Sequence, residues 1–589
     1  MRSTLVGGAA AVFCAALLIT GCAQKKEVSA PAYDVVIRGG TVYDGSGGKP
    51  FVGDVAIKSD RVAYVGPRAD GTGKQEIDAK GLAVSPGFVN MLSWAVETLL
   101  VDGRAQSDVR QGVTLEVFGE GSSMGPLSAQ MKEDLLKRQS DLKFPVDWTT
   151  LGEYLEGLER KGVAPNVASF LGAGTLRVHV LGERDVDPTP AQLEEMRGLV
   201  RQGMEEGALG IGSSLIYAPD TYAETPELVT LMQEAGRCGG MYITHMRSEA
   251  RKLLEAIDET IDIAKQSGAA AEIYHLKAAG QSNWDKLGPA IEKIEAARAA
   301  GVPLTADMYT YPAAATGLDA AMPPWVQDGG LEAWIQRLKD PKIRARVIKE
   351  MRSSQTSWEN TMREAGTPAN VLLVGFKTEK LKPLIGKTLE EVAKERGVSA
   401  EDAAIDLVIE DGTRVEVVYF LMSEENVRRQ VALPWVSFGS DEGAPSAEGV
   451  FLKSGAHPRA YGTFARLLGR YVRDEKVVPL EEAIRRLTSL PSTNLGLKER
   501  GLLRQGYFAD VVVFDPAKIQ DHATYKEPHQ YATGVADVFV NGTQVLAKGE
   551  PTGAPAGRFV RGRGWKGWPD GGCRASSRDW TWNRGTPNP

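Results

Sequence analysis

The sequence predicts an α/β fold: a (β/α)8 barrel carrying a small β-sandwich built from both ends of the chain. Three observations point there. Short β-rich runs broken by Gly pairs and Asp-Gly open the chain (YDVVIRGGTVYDGSGG, DVAIKSDRVAYVG, EIDAKGLAVSPGFVN) and return after about Gly501 (YFADVVVFDP, ADVFVNGTQVLAKGE), which is the pattern of hairpin-built sheet. Between them, apolar β-type runs (Val113 to Phe118, Asn166 to Leu171, Leu209 to Ser213, Met241 to His245, Ala271 to His275, Leu304 to Met308, Val436 to Phe438) alternate with charged helical stretches such as LEEMRGLVRQGMEEG. Alternation of that kind makes parallel strands with crossover helices. Finally, 589 residues exclude a single small core, and about eight β/α units fit the ~400-residue middle if it also carries an insertion.

Taken in order, residues 1–22 read as a secretory signal: Arg2, an apolar run from about Leu5 to Ile19, then Thr20, Gly21 and Cys22. The run is short for a membrane span. Ile19-Thr20-Gly21-Cys22 resembles a bacterial lipobox, which implies cleavage before Cys22 and a lipid on that residue; the alternative is a plain signal peptide with a chance cysteine. Residues 23–32 are polar enough for a tether. The expectation is a body held in water outside the cytoplasm, in the periplasm, lipid-anchored through Cys22, with the outer membrane favoured because Ala23 is not the aspartate that retains lipoproteins at the inner one. Residues 33–85 form the first part of the sandwich, 86–498 the barrel and 499–562 the second part of the sandwich. An insertion is expected near 311–421, where Pro-Pro, Gly-Gly and charged helices break the rhythm. Residues 563–589 read as a loosely ordered tail whose tryptophans pack on the body.

Charge and cysteines exclude several classes. Lys+Arg 69 against Asp+Glu 76 gives −7, so there is no basic excess to grip a phosphate backbone, and no nucleic-acid partner is expected. Of four cysteines, Cys14 leaves with the signal and Cys22 is the lipid site. Cys238 and Cys573 are far apart with no CxxC spacing, so neither a disulfide framework nor a zinc knuckle is expected, and Cys238 reads as a small buried residue.

Four residues stand at the ends of predicted barrel strands: Glu120 in VFGEG, His245 in YITHM, His275 in IYHLK and Asp441 in FGSDEG. In a β/α barrel those ends face the active site. Two imidazoles and two carboxylates there can surround one divalent ion while one carboxylate handles a water proton. Each has a plainer reading: a capping histidine, turn chemistry at Asp441-Glu442-Gly443, a solvated loop glutamate. Their recurrence at four strand ends favours a site.

The opening YDVVIRGGTVYDGSG, the GLAVSPGFVN step, ITHMRSE, YHLKAAGQSN, SFGSDEGAP, HPRAYGTFARLLG, LTSLPSTNLGLKERGLLRQGYFADVVVFDP and VFVNGTQV together resemble the metal-dependent amidohydrolases, specifically the N-acyl-D-amino-acid deacylase (D-aminoacylase) branch. The resemblance covers Tyr33 to about Arg563 and implies a barrel plus a small β-sandwich that hydrolyses an amide with a metal-activated water. One departure stands out. The branch carries an HxH pair after the PGF step, and here Met91, Leu92 and Ser93 occupy that place; the metal-bridging cysteine of a GNCG-type turn is replaced by Gly119-Glu120-Gly121. The resemblance then implies that the first metal position is lost and the second kept, with Glu120, His245 and His275 around one ion, Zn2+ or another divalent metal, and Asp441 as acid/base. It also implies that Lys277 and Arg459 hold a substrate carboxylate, that Tyr217 supports the oxyanion, with Tyr309 or Tyr311 a weaker match, and that Arg247 and Glu249 orient the site. The activity expected is hydrolysis of N-acyl-D-amino acids or related small D-residue amides. The alternatives are a catalytically dead binding protein and a hydrolase of cyclic amides or cell-wall peptide fragments. Oligomeric state is left open.

Overall fold

The computed structural model describes residues 31–573; the signal, Cys22, the start of the tether and residues 574–589 lie outside them. Eight parallel strands close the predicted barrel: β1 (Phe88–Asn90), β2 (Val113–Phe118), β3 (Asn166–Ser169, continued by Leu171–Gly172), β4 (Gly210–Ser214), β5 (Met241–His245), β6 (Ala271–Ile273), β7 (Leu304–Met308) and β8 (Val436–Phe438). Parallel pairing joins β1 to β2 and β2 to β3, and runs without a break from the second part of β3 to β8. The ring shuts where Met91 N donates to Phe438 O at 3.1 Å and Asp441 N to Leu92 O at 2.8 Å.

The strand period decides what points inward. On β5, Met241 and Ile243 belong to the apolar cluster inside the barrel, with Val89, Met91, Leu92, Leu115, Val117 and Phe170, whereas Tyr242 joins the outer cluster under the helices. The same two-residue step carries His245 to the inward side at the top. Met91 and Leu92 have no exposed surface, so they fill the interior just below the mouth. Outside, helices such as Thr225–Arg237 cover the strands with an apolar stripe, here Leu228, Leu231, Met232 and Ala235.

Between β7 and β8 an inserted unit has its own sheet and core. Strands Ala314–Gly317, Glu416–Tyr419 and Val371–Gly375 pair antiparallel, and Leu373, Val417, Leu389, Ile405 and Val408 are buried with the helices over them. The two ends of the chain build one nine-stranded sheet, joined where Ala83–Pro86 pairs antiparallel with Val511–Phe514.

Two readings of the sequence need correction. Cys238 and Cys573 form a disulfide across 335 residues of sequence. The tail is also anchored as far as Cys573: Lys566 N donates to Glu205 O at 3.0 Å and Trp568 Nε1 to Gly562 O at 3.0 Å, continuing a strap in which Val560 N donates to Val167 O and Gly562 N to Gly207 O, each at 2.8 Å. Spacing rules read neighbouring cysteines, and the absence of periodicity reads as looseness; neither senses a strap fixed by backbone bonds to the start of β3 and β4.

Candidate active site

All four strand-end candidates meet at the mouth of the barrel. Glu120 Oε1 lies 3.0 Å from His245 Nδ1 and 2.9 Å from His275 Nε2, and the three residues are buried. His275 and Asp441 have φ of 34° and 54°, a left-handed backbone that is uncommon with a side chain present and concentrates at functional sites. Asp441 holds both oxygens in place: Oδ2 is 2.8 Å from Arg459 Nη1, and Oδ1 accepts from Trp94 Nε1 at 3.2 Å.

Behind the histidines stands Glu249. Its Oε1 is 3.0 Å from His275 Nδ1 and accepts from Lys277 Nζ at 2.6 Å; its Oε2 is 3.7 Å from His245 Nε2. The inserted unit fixes this carboxylate, because the backbone N–H groups of Glu249 and Ala250 donate to Glu359 Oε2 at 3.1 and 3.0 Å. Glu249 therefore stands against both histidines, in the place from which the resemblance has it orient the site. Arg247 does something else: its guanidinium binds Glu259 and the carbonyls of Thr221 and Ala223, holding a loop beside the site rather than a ligand.

The remaining expected residues surround the same space. Lys277 is turned inward, 2.6 Å from both Glu249 and His275 Nδ1. Arg459 lies 4.6 Å over the Tyr309 ring, and its Nε has no hydrogen-bond partner among the described residues. Tyr309 packs 6.2 Å from His275 with its hydroxyl also unpartnered, and Tyr217 meets His245 edge-on at 5.1 Å. Tyr311, the alternative to Tyr309, packs on His457 with its hydroxyl toward Asp521. Two participants carry no local signal in the sequence: Trp94, whose partners come from two other strands, and Arg414 of the insertion, 5.2 Å over the Tyr217 ring.

The electrostatics favour a cation between the three ligand candidates. Burial alone would raise the Glu120 carboxyl, yet the imidazoles, His275 foremost, hold it below the ordinary range. Burial and Lys277 oppose a charge on His275, and Glu249 and Glu120 overcome them, pushing it up to about 10. A pocket that draws a proton onto an imidazole this strongly is equally suited to a metal ion. The donor set fits as well. Tetrahedral ligands at about 2.0–2.1 Å stand roughly 3.3 Å apart; Glu120 Oε1 is within a few tenths of an ångström of that spacing from each facing nitrogen, and the three ligand atoms lie within 4.8 Å of one another. On the far side of the His275 ring, Glu249 Oε1 and Lys277 Nζ stand 3.0 and 2.6 Å from Nδ1, where they would hold the ring in orientation toward an ion. Asp441 is raised, mainly by burial and against Arg459, which suits a group that takes and returns a proton.

The amidohydrolase family model matches residues 143–546. The chain belongs to the amidohydrolase family. Within it, this amidohydrolase is 33% identical over 532 residues to the D-aminoacylase of Alcaligenes xylosoxydans xylosoxydans, covering 90% of this chain and 97% of that protein. A solved D-aminoacylase with a binuclear metal center, described by one-metal activation and second-metal attenuation, superposes with TM-score 0.74 at 31% identity, covering 90% of this chain and all of that one. The N-acyl-D-glutamate deacylase of Bordetella bronchiseptica, complexed with zinc and a phosphonate inhibitor that mimics the tetrahedral intermediate, superposes with TM-score 0.73 at 27% identity over 90% and 99% of the two chains. These place the chain in the D-aminoacylase branch.

Proposed function

We propose that this amidohydrolase cleaves the amide bond of N-acyl-D-amino acids with a single divalent ion, zinc, held by Glu120, His245 and His275. The observation that carries the reading is the convergence of Glu120 Oε1 on His245 Nδ1 and His275 Nε2 beside an Asp441 carboxylate fixed at both oxygens. A divalent ion at that point supplies Lewis-acid polarisation and a lowered pKa for water. Asp441 takes the proton of the attacking water and returns it to the leaving nitrogen. Arg459, stacked on the Tyr309 ring with its Nε 3.6 Å from Glu442 Oε1 and making no hydrogen bond, receives the substrate carboxylate. Lys277 keeps the charge of Glu249 balanced and reaches substrate only by leaving it. Tyr217, whose hydroxyl burial keeps protonated, stands against His245 to support the developing oxyanion. D-selectivity rests on the relatives alone, since each named contact would serve either hand.

Metal content of the purified protein, run beside turnover of paired N-acetyl-D- and N-acetyl-L-amino acids, tests this. One ion per chain and turnover confined to the D series are expected; zinc-replete protein that turns over none of them sinks it.

The same proposal places the protein in the periplasm, lipid-anchored through Cys22. A disulfide that closes the body of the protein fits an oxidising compartment, and among the described residues no helix is long and apolar enough to cross a membrane. Cys22→Ser is expected to release the protein from the membrane fraction; unchanged fractionation removes the anchor.

A further inference from the structure

The segment that in this branch carries HxH is pinned here on both sides of the barrel seam. Ser93 N donates to Val117 O of β2 at 2.9 Å, and Trp94 N donates to Glu442 O after β8 at 2.9 Å. Met91 and Leu92 point into the apolar interior. Two residues after Leu92, Trp94 reaches back over the mouth, and its Nε1 lies 3.0 Å from Glu120 Oε2 and 3.2 Å from Asp441 Oδ1. One N–H is thus shared between two carboxylates that belong to different strand ends.

Two consequences follow from the geometry. Glu120 Oε1 faces both histidines while Oε2 is occupied by the indole, so the carboxylate presents one oxygen to the ligand pocket and not two. Asp441 is held between Arg459 on one oxygen and Trp94 on the other, which fixes the plane of the group that moves the proton. An indole N–H donates only, does not titrate and offers no lone pair to a metal. It can therefore relieve the repulsion between Glu120 and Asp441 without competing for the ion.

We propose that Trp94 is a positioning residue that, in a site for one ion, ties Glu120 to Asp441 from the segment just after the place where the HxH pair is missing. The proposal rests on the one-ion reading above. It assigns to the chain after β1 a role opposite to its counterpart's: a donor toward carboxylates in place of a donor toward metal.

The test uses the full-length protein and its Trp94→Phe variant, which keeps a ring and deletes the N–H, with Trp94→Gln as a variant that keeps an N–H donor. Zinc affinity is measured by chelator competition, and the visible spectrum is recorded with Co2+ alone as the probe. Kinetic constants are taken on an N-acetyl-D-amino acid. In the Phe variant, zinc affinity is expected to fall about 10- to 100-fold. The Co2+ d–d bands are expected to weaken as Glu120, free to swing, adds a second oxygen and raises the coordination number. The kcat is expected to fall while KM stays within about twofold. The Gln variant is expected to lie between. A Phe variant with wild-type zinc affinity and a wild-type Co2+ spectrum overturns the proposal whatever its activity. If wild type binds zinc but hydrolyses none of the substrates, the hydrolase reading fails, and the affinity and spectral comparison still decides the role of Trp94. A wild type that binds no zinc overturns both. Should the Phe variant fail to fold, the Gln variant is set against wild type: zinc affinity and a Co2+ spectrum close to wild type support the donor role, and loss of both overturns it.

Discussion

Removing the charge of Glu249 is expected to destabilise the protein and to weaken metal binding in separable ways. Lys277 Nζ and Glu249 Oε1 are 2.6 Å apart, with side-chain exposures of 4% and 8%. Glu249→Gln leaves the ammonium buried without its counter-charge, a change that costs about 3–5 kcal/mol in comparable buried pairs. If the barrel unfolds as one unit of roughly 400 residues at about 2.1 cal/mol/K per residue, the unfolding entropy is about 0.84 kcal/mol/K, and the melting point falls by about 4–6 °C. Lys277→Met alone is expected to cost a similar amount, because Glu249 then loses its cation. The double variant is expected to recover most of the loss, since removing both charges together is close to neutral. The pH dependence has a definite sign. Glu249 is held below its ordinary range, by Lys277 and the histidines against burial. Its contribution is therefore fully present above the unfolded carboxylate value of about 4.3 and is lost only as pH falls through the lower folded value. The gap between wild type and Glu249→Gln should be widest from about pH 5 to 6.5, begin to close below about pH 4 as Glu249 takes a proton, and narrow above about pH 6.5, because Glu249 also raises His275, whose contribution is lost as pH rises toward its folded value of about 10. Thermal unfolding of metal-free protein at several pH values measures all of this. Single variants that melt within about 1 °C of wild type, or a double variant that loses the sum of both, would refute the argument that a buried charge pair supports the site.

Asp441→Asn should retain its ion while kcat drops about 10²- to 10⁴-fold, as metal analysis and steady-state kinetics will show. Arg459→Lys should raise KM for N-acetyl-D-amino acids about tenfold or more, because a point charge replaces a fork, and leave KM for the corresponding carboxamides, which lack the anion, nearly unchanged. Cys238→Ser should lower stability by about 2–5 kcal/mol without altering zinc affinity; an unchanged melting point would mean that the backbone bonds of the strap suffice without the Cys238–Cys573 link.

Much of the fold and half of the site were legible in the chain itself. The barrel strands could be read because a buried parallel strand is an apolar run, and a run that ends in a polar residue announces what faces the mouth. His245 is the clear case: the period of two that buries Met241 and Ile243 also aims the imidazole inward. Glu120, His275 and Asp441 followed from the same end-of-strand logic, although the left-handed turns that carry His275 and Asp441 did not, since histidine and aspartate pass for ordinary turn residues. Tertiary structure decided the rest. Trp94 acts through partners 26 and 347 positions away, and no local pattern marks an indole N–H for that work. Arg247 and Glu249 lie two residues apart and looked alike in role; packing sends one to Glu259 and the other to the histidines. Cys238 and Cys573, unremarkable across 335 residues, become neighbours only because the last strap runs back beneath β3 and β4. Period and chemistry are properties of neighbouring residues and survive in the sequence, whereas the choice of partner across the barrel exists only once eight strands have closed the ring.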